Sequence, residues 1–225
     1  MTHKTALITG ANRGIGLELT KLCVQNNYHV DCVCRSSSTE LQALNVTIHT
    51  NIELTNSTAL QKLKSTLATT QYDLIINNAG ILTNETITSF DQAAKNRVID
   101  QFKVNSLAPL ELSCLFANQL KNPSKLIFIT SRMGSITDNT SGSRYGYRMS
   151  KTALNMAATS LAHDLYHQGV AIGILHPGYV QTDMTNHNGN ITPQEAAKQL
   201  YNQINNLSLT TSGQFLHANG DQLPW

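Results

Sequence analysis

The sequence predicts an α/β fold, a doubly wound parallel sheet of about seven strands with helices on both faces. Three observations predict it. Apolar runs of strand length alternate with longer segments of helical period along the whole chain. The runs are continuously apolar rather than alternating, which suits strands buried on both faces of a parallel sheet. The first run passes through clustered glycines straight into a helical segment, opening a strand–helix–strand series whose right-handed crossovers wind the sheet in two directions. A chain of 225 residues can bury such a core as one domain, residues 1–225, without disulfides or metals.

Taken in order, the first strand is centred on Ala6 to Ile8, and "LELTKLCVQNN" after the glycines is its helix. Val30 to Cys34, Val46 to Ile48 and Leu74 to Ile76 are the next three strands. A long helical stretch, "AAKNRVIDQFKVNSLAPLELSCLFANQL", follows, with Pro109 inside it. A helix-interior proline removes a backbone bond and opens the ladder locally. Leu126 to Ile129, Val170 to Leu175 and Phe215 to His217 complete the strands, and a helix from about Tyr145 to His167 separates the first two of these. Two polar loops, residues 131–143 and 176–190, leave the carboxyl ends of strands, where open α/β sheets bind ligands.

Net charge is +2 with no run of Lys or Arg, which gives a nucleic-acid or membrane-surface role little electrostatic support. No segment holds 18 consecutive apolar residues, and "MTHKTALITG" enters a strand at once, so a cytoplasmic protein without a leader or membrane span is expected. Cys23, Cys32, Cys34 and Cys114 read as buried thiols. His163 and His167 share a helix face but lack the Glu of an H-E-x-x-H pattern, and with His176 they suggest no metal. The expected partner is a small molecule.

"ALITGANRGIG" places glycines at 10, 14 and 16. They permit a tight turn, close approach to a phosphate and close packing of helix on strand, with helix N-terminal N–H groups facing the anion. "YGYRMSK" sets Tyr147 and Lys151 at i and i+4, stacked on one helical face, while Tyr145 lies elsewhere. A phenol with its ordinary pKa is a poor base at neutral pH. A neighbouring ammonium favours phenolate and is expected to move its value toward the working range.

"TGANRGIG" at 9–16, "NNAG" at 77–80, Asn105 in "VNSLAP", Ser131 in "ITSRMGS", the Y-x-x-x-K of Tyr147 and Lys151, and "HPGYVQTDM" at 176–184 come in one order. Together they resemble the short-chain dehydrogenase/reductase family, with "SRMGSITDNTSGSRYGYRMSK" and the terminal "LPW" most similar to its C-factor and sniffer-like carbonyl reductase branch. The resemblance implies a single NAD(P)-binding Rossmann-type domain. It further implies a catalytic set of Asn105, Ser131, Tyr147 and Lys151, with Tyr147 giving a proton to a carbonyl oxygen polarised by Ser131 while reduced nicotinamide supplies hydride. Ser131 stands 16 residues before Tyr147, slightly farther than usual in the family, and Ser135 is its alternative. Asn105 would hold a water linking Lys151 to solvent.

The same resemblance assigns Gly10, Arg13, Ile15 and Gly16 to the cofactor diphosphate, Asn78, Ala79 and Gly80 to the adenosine side, and Val180 and Thr182 to the carboxamide, with Asn12, Gly14, Pro177 and Gly178 also binding the cofactor. Tyr147 and Lys151 also contact the cofactor. Glu53, or Asn51 in another register, stands near the adenine. Preference for NADP(H) is read from Arg35, which lies about where NAD-selective folds place a ribose-binding acid, with Ser36, Ser37 and Arg13 as support. Asp31 is the competing acid.

Two other classes compete with this reading. An epimerase or dehydratase would need a C-terminal substrate domain, and only 41 residues follow "TDM". A C-factor-like signalling or nucleotide-sensing protein is the alternative reading. The helix bearing Tyr147 leaves a homodimer or homotetramer open, with Leu154, Ala158 and Leu161 equally able to be core. Seven residues between "TDM" and "TPQEAA" are too few for a long helical lid, so an exposed site tolerant of aldehydes, ketones or quinones is expected.

Overall fold

The structure is a computed structural model that describes residues 4–225; the first three residues of the amino-terminal reading lie outside it. Strands β1 (Lys4–Thr9), β2 (Tyr28–Val33), β3 (Thr47–His49), β4 (Tyr72–Asn77), β5 (Leu120–Ile129), β6 (Val170–His176) and β7 (Phe215–His217) form one sheet in the order β3-β2-β1-β4-β5-β6-β7. All six pairings are parallel. Successive strands step outward from β1 in one direction and from β4 in the other. The crevice between the carboxyl ends of β1 and β4 is therefore the switch point where such sheets bind ligands.

Helices α1 (Gly14–Gln25), α2 (Thr39–Gln42), α3 (Ser57–Thr66), α4 (Gln92–Phe102), α5 (Ala108–Phe116), α6 (Tyr145–Asp164) and α7 (Pro193–Asn206) cover both faces. Alternate strand residues feed two cores. Ala6, Ile8, Cys32, Leu74 and Ile76 pack with Leu19 and Cys23 of α1, Leu41 of α2 and Leu200 of α7. Leu7, Val33, Ile75 and Phe128 pack with Leu60 of α3, Phe116 of α5 and Leu154, Ala158 and Leu161 of α6. Those three α6 residues, left open as a dimer face, are thus core. Met149 and Met156 occupy the exposed side of that helix.

Small departures from the sequence reading have local causes. The third strand runs one residue later than Val46 to Ile48. The α6 helix stops at Asp164, and a short 3₁₀ turn ends at Gly169, whose φ of 74° the right-handed helix cannot hold. Between α4 and α5 lies one turn of π-helix, Lys103–Leu107, with Asn105 at its centre. Pro109 has no N–H to donate into the preceding turn, which is where the widened ladder occurs. Cys23, Cys32 and Cys34 are buried, with burial pushing the Cys23 and Cys32 thiols up to about 12, whereas Cys114 is exposed, contrary to expectation. No helix is long and apolar enough to cross a membrane among the described residues.

Candidate active site

The carboxyl ends of β1, β4, β5 and β6 open onto a cleft of about 730 Å³ lined by Gly10, Asn12, Arg13, Gly14, Ile15, Arg35, Glu53, Asn78, Ala79, Gly80, Tyr147, Lys151, Pro177 and Thr182. Most of the expected cofactor residues thus converge. Gly16, Gly178 and Val180 do not line it. Gly16 sits beneath the turn, where an added Cβ would lie 2.2 Å from the Gly10 carbonyl oxygen. Val180 is buried and bridges to Ile191, which holds the loop after β6.

Helix α1 begins without a side-chain cap and without an acid in its first turn. Its orphan N–H groups and positive dipole end meet the cleft, a donor set suited to a diphosphate. Asn78 fixes that turn against β4, with Nδ2 donating to the carbonyls of Thr9 at 3.0 Å and Gly10 at 3.2 Å. At the far end, Arg35 is exposed, with its Nη1 3.9 Å from Glu53. Glu53 rather than Asn51 lines the cleft there. Arg13 is ion-paired with Asp183 of the loop after β6. The competing acid, Asp31, is committed elsewhere: it accepts from the Tyr72 hydroxyl at 2.9 Å and lies 2.8 Å from His49 Nε2.

The Y-x-x-x-K pair stands on one face of α6 as the spacing predicts. Lys151 is 4% exposed, donates from Nζ to the Ile129 carbonyl at 2.9 Å, and lies 5.9 Å from the centre of the Tyr147 ring. Burial lowers its pKa to about 8, so its ammonium persists at neutral pH. Tyr147 is buried, and Ser131, whose Oγ accepts from the Met133 N–H at 3.1 Å, acts on its hydroxyl. The net direction of its pKa differs from the sequence expectation. Burial raises it, outweighing the opposing pull of Ser131 and the Arg144 charge, so the phenol keeps its proton. Tyr145 instead packs edge-on against Phe90, with ring centroids 5.9 Å apart.

Ser131 leaves β5 facing Tyr147, and the polar loop absorbs the long spacing between them. Ser135 is buried and spends its hydroxyl on the Asp138 N–H at 3.0 Å, a turn contact away from the phenol. Asn105 is fully buried. Its Oδ1 accepts from Ile81 N at 2.8 Å, and its Nδ2 donates to Ile81 O at 2.9 Å and Ser150 Oγ at 3.0 Å. A Cβ added to Gly80 would lie 3.2 Å from Asn105 Oδ1 and 3.7 Å from Lys151 Nζ, so these groups share one corner.

Sequence reasoning missed Glu85. Its carboxylate is wholly buried and accepts from the Gly146 N–H at 3.1 Å, Thr83 Oγ1 at 2.6 Å and Gln101 Nε2 at 3.0 Å, with Arg97 Nε 4.0 Å away. Its backbone oxygen accepts from Arg144 N at 2.8 Å. A loop residue sixty positions away therefore caps the helix that carries Tyr147, and no local motif announces it. Gly146 is its partner in packing, since a Cβ there would meet Gln101 Nε2 at 2.3 Å. His176, weighed as a metal ligand, is packed edge-on to His217 at 5.0 Å, and burial with nearby positive charge drives its pKa down to about 3. No group of three or more His, Cys, Asp or Glu could hold a metal among the described residues.

A doubly wound sheet whose switch point holds a glycine turn, and beside it a Ser–Tyr–Lys cluster, defines a dinucleotide-dependent oxidoreductase of the short-chain type. Residues 4–204 match the short chain dehydrogenase family model, and the chain belongs to that family. It is 33% identical to 1-hydroxy-2-glutathionyl-2-methyl-3-butene dehydrogenase of Rhodococcus sp. (strain AD45), over 98% of this chain and 99% of that protein. It is 34% identical to C-signal of Myxococcus xanthus, over 74% of this chain and all of that protein. Among solved structures it is similar to NADPH-bound carbonyl reductase from chicken fatty liver, with TM-score 0.87 and 30% identity, and to carbonyl reductase Sniffer of D. melanogaster, with TM-score 0.89 and 29% identity. Both alignments cover 100% of each chain. These likenesses set the chain in the sniffer and C-factor-like branch.

Replacing Glu85 by Ala leaves the Gly146 N–H and the Gln101 amide without their buried acceptor. The expected cost is about 2 to 4 kcal/mol, read as a lowered urea midpoint with unchanged m-value. A loss under about 0.5 kcal/mol, the size of an ordinary surface change, would show that the cap does not hold the helix.

Proposed function

We propose that the chain reduces an aldehyde, ketone or quinone to the alcohol with NADPH, Tyr147 donating the proton, and that residues 1–225 act as one Rossmann-type domain. The observation that carries this reading is the buried, protonated Tyr147 hydroxyl, with Ser131 acting on it and the Lys151 ammonium one helical turn away. When bound, the nicotinamide supplies the hydride. Ser131 would orient the substrate carbonyl through its hydroxyl, and Tyr147 would pass its proton to the oxygen as negative charge develops there. Lys151, charged at neutral pH, would stabilise the phenolate left behind.

Proton return is assigned to the corner shared by Gly80, Asn105 and Lys151. Asn105 has its side-chain amide committed to Ile81 and Ser150, so a role in holding a relay water falls to its backbone carbonyl in the π-turn. The π-turn supports this, since Pro109 supplies no N–H to that carbonyl.

NADP(H) preference is supported by Arg35 at the cleft's end and by the commitment of Asp31 to Tyr72 and His49, which leaves no free acid on β2 for a ribose 2′-hydroxyl. An exposed guanidinium suits the bidentate demands of a 2′-phosphate. Four free cysteines suit the reducing cytoplasm. The loop after β6 has only a short 3₁₀ turn, Asp183–Thr185, and leaves Tyr179 and Met184 exposed, which supports an open site with broad carbonyl tolerance. The likeness to C-signal favours a second reading, a signalling role. Steady NADPH oxidation with carbonyl substrates separates the two.

With a panel of aldehydes, ketones and quinones, Tyr147→Phe is expected to lower kcat by orders of magnitude while keeping cofactor affinity. Tyr145→Phe keeps most activity, and equal losses from the two would overturn the assignment. In the wild type, kcat/KM with NADPH should exceed that with NADH. Arg35→Asp should weaken NADPH about 10-fold to 100-fold, the worth of one charge-assisted contact; parity between cofactors, or an unmoved preference in the variant, contradicts the reading.

A further inference from the structure

Residues 131–151 hold four of the chain's 16 lysines and arginines but one of its 14 acids. This segment carries both Ser131 and Tyr147, so the positive excess sits around the reacting centre. Three of the four cations have partners. Lys151 is buried on the Ile129 carbonyl, Arg132 is paired with Asp138 at 2.6 Å, and Arg148 ties the loop by donating to Gly142 O, Ser143 O and Ser141 Oγ.

Arg144 is the fourth. It is exposed and has no ion pair among the described residues; its guanidinium touches Met133 Sδ at 3.9 Å. It immediately precedes α6, three residues before Tyr147, and Met133 lies two residues after Ser131. The guanidinium therefore spans from the tyrosine turn to the serine turn. Its backbone is left-handed, φ 52° and ψ 44°, following Ser143 at φ 49°, and its N–H is pinned to the buried Glu85 carbonyl at 2.8 Å. Two consecutive non-glycine residues hold this unfavourable conformation only because the surroundings impose it. The backbone from which the side chain springs is thus fixed from below. Arg144 does not line the dinucleotide cleft, which Tyr147 and Lys151 do line, and its charge is felt at Tyr147.

We propose that Arg144 is a specificity-determining residue that selects carbonyl substrates bearing a carboxylate remote from the reacting carbon. This rests on the carbonyl-reductase reading of the same site. A guanidinium presents a fixed fork of donors that a carboxylate matches with two hydrogen bonds. Ile136, Tyr179 and Met184 are exposed apolar side chains on the two loops that leave β5 and β6. Because Arg144 is open to solvent, its contribution is screened by salt and falls on binding rather than on the chemical step.

The test compares 4-carboxybenzaldehyde with methyl 4-formylbenzoate under NADPH, in the wild type, Arg144→Gln and Arg144→Lys. The expected acid-to-ester ratio of kcat/KM is about 10-fold higher in the wild type than in Arg144→Gln, carried in KM. Arg144→Lys keeps an intermediate ratio, because it retains the charge and loses the fork. Raising ionic strength to about 1 M, where the Debye length is about 3 Å, should bring the wild-type ratio down toward that of Arg144→Gln. An acid-to-ester ratio that is the same in the wild type and Arg144→Gln overturns the proposal while the carbonyl reading stands. Turnover of neither aldehyde, with NADPH or NADH, removes the carbonyl reading and the proposal with it.

Discussion

The bond from the Lys151 ammonium to the Ile129 carbonyl is the contact around which the site is assembled. It ties the helix that carries Tyr147 to the end of the strand that delivers Ser131, across 22 residues of sequence. Placing a cation where it is 4% exposed costs desolvation, and the lowered pKa records that cost. The cost is tolerated because the same placement sets an ammonium beneath the phenol ring and brings Gly80 and Asn105 to its flank.

Burial also decides the proton inventory. The sequence suggests a lysine that pulls tyrosine toward phenolate, yet in the folded chain desolvation acts on both groups, raising the phenol and lowering the ammonium. The outcome is a neutral donor beside a cation at neutral pH, a state poised to give a proton rather than to take one. The surrounding frame keeps it in place: Glu85 caps the helix start, Asn78 welds the ends of β1 and β4, and Ser150 links Asn105 to the tyrosine turn.

Much of this was legible in the residues. Strands buried on both faces must be continuously apolar, so Ala6 to Ile8 and Leu74 to Ile76 announce a parallel sheet. The i, i+4 spacing puts Tyr147 and Lys151 on one helical face before any coordinates exist, and Pro109 marks the place where the helix ladder opens. Features that depend on distant chain segments were not legible. Glu85 reads as an ordinary loop acid until folding seals it under Gly146, and nothing local distinguishes Asp31, held by Tyr72 and His49, from an acid free to meet a ribose. The direction of the Tyr147 shift is hidden for the same reason, because spacing conveys a neighbour's charge but says nothing of the water excluded around it.

The most direct test of this account is the titration of the Tyr147 phenol in the nucleotide-free chain. Ultraviolet difference spectra of the wild type against Tyr147→Phe, followed from about pH 6 to above the ordinary tyrosine value of about 10, isolate its phenolate. The account predicts no phenolate from Tyr147 until the pH has passed that ordinary value, because burial prevails over the opposing effects of Ser131 and Arg144. A phenolate forming near neutral pH would contradict it and restore the lysine-driven picture.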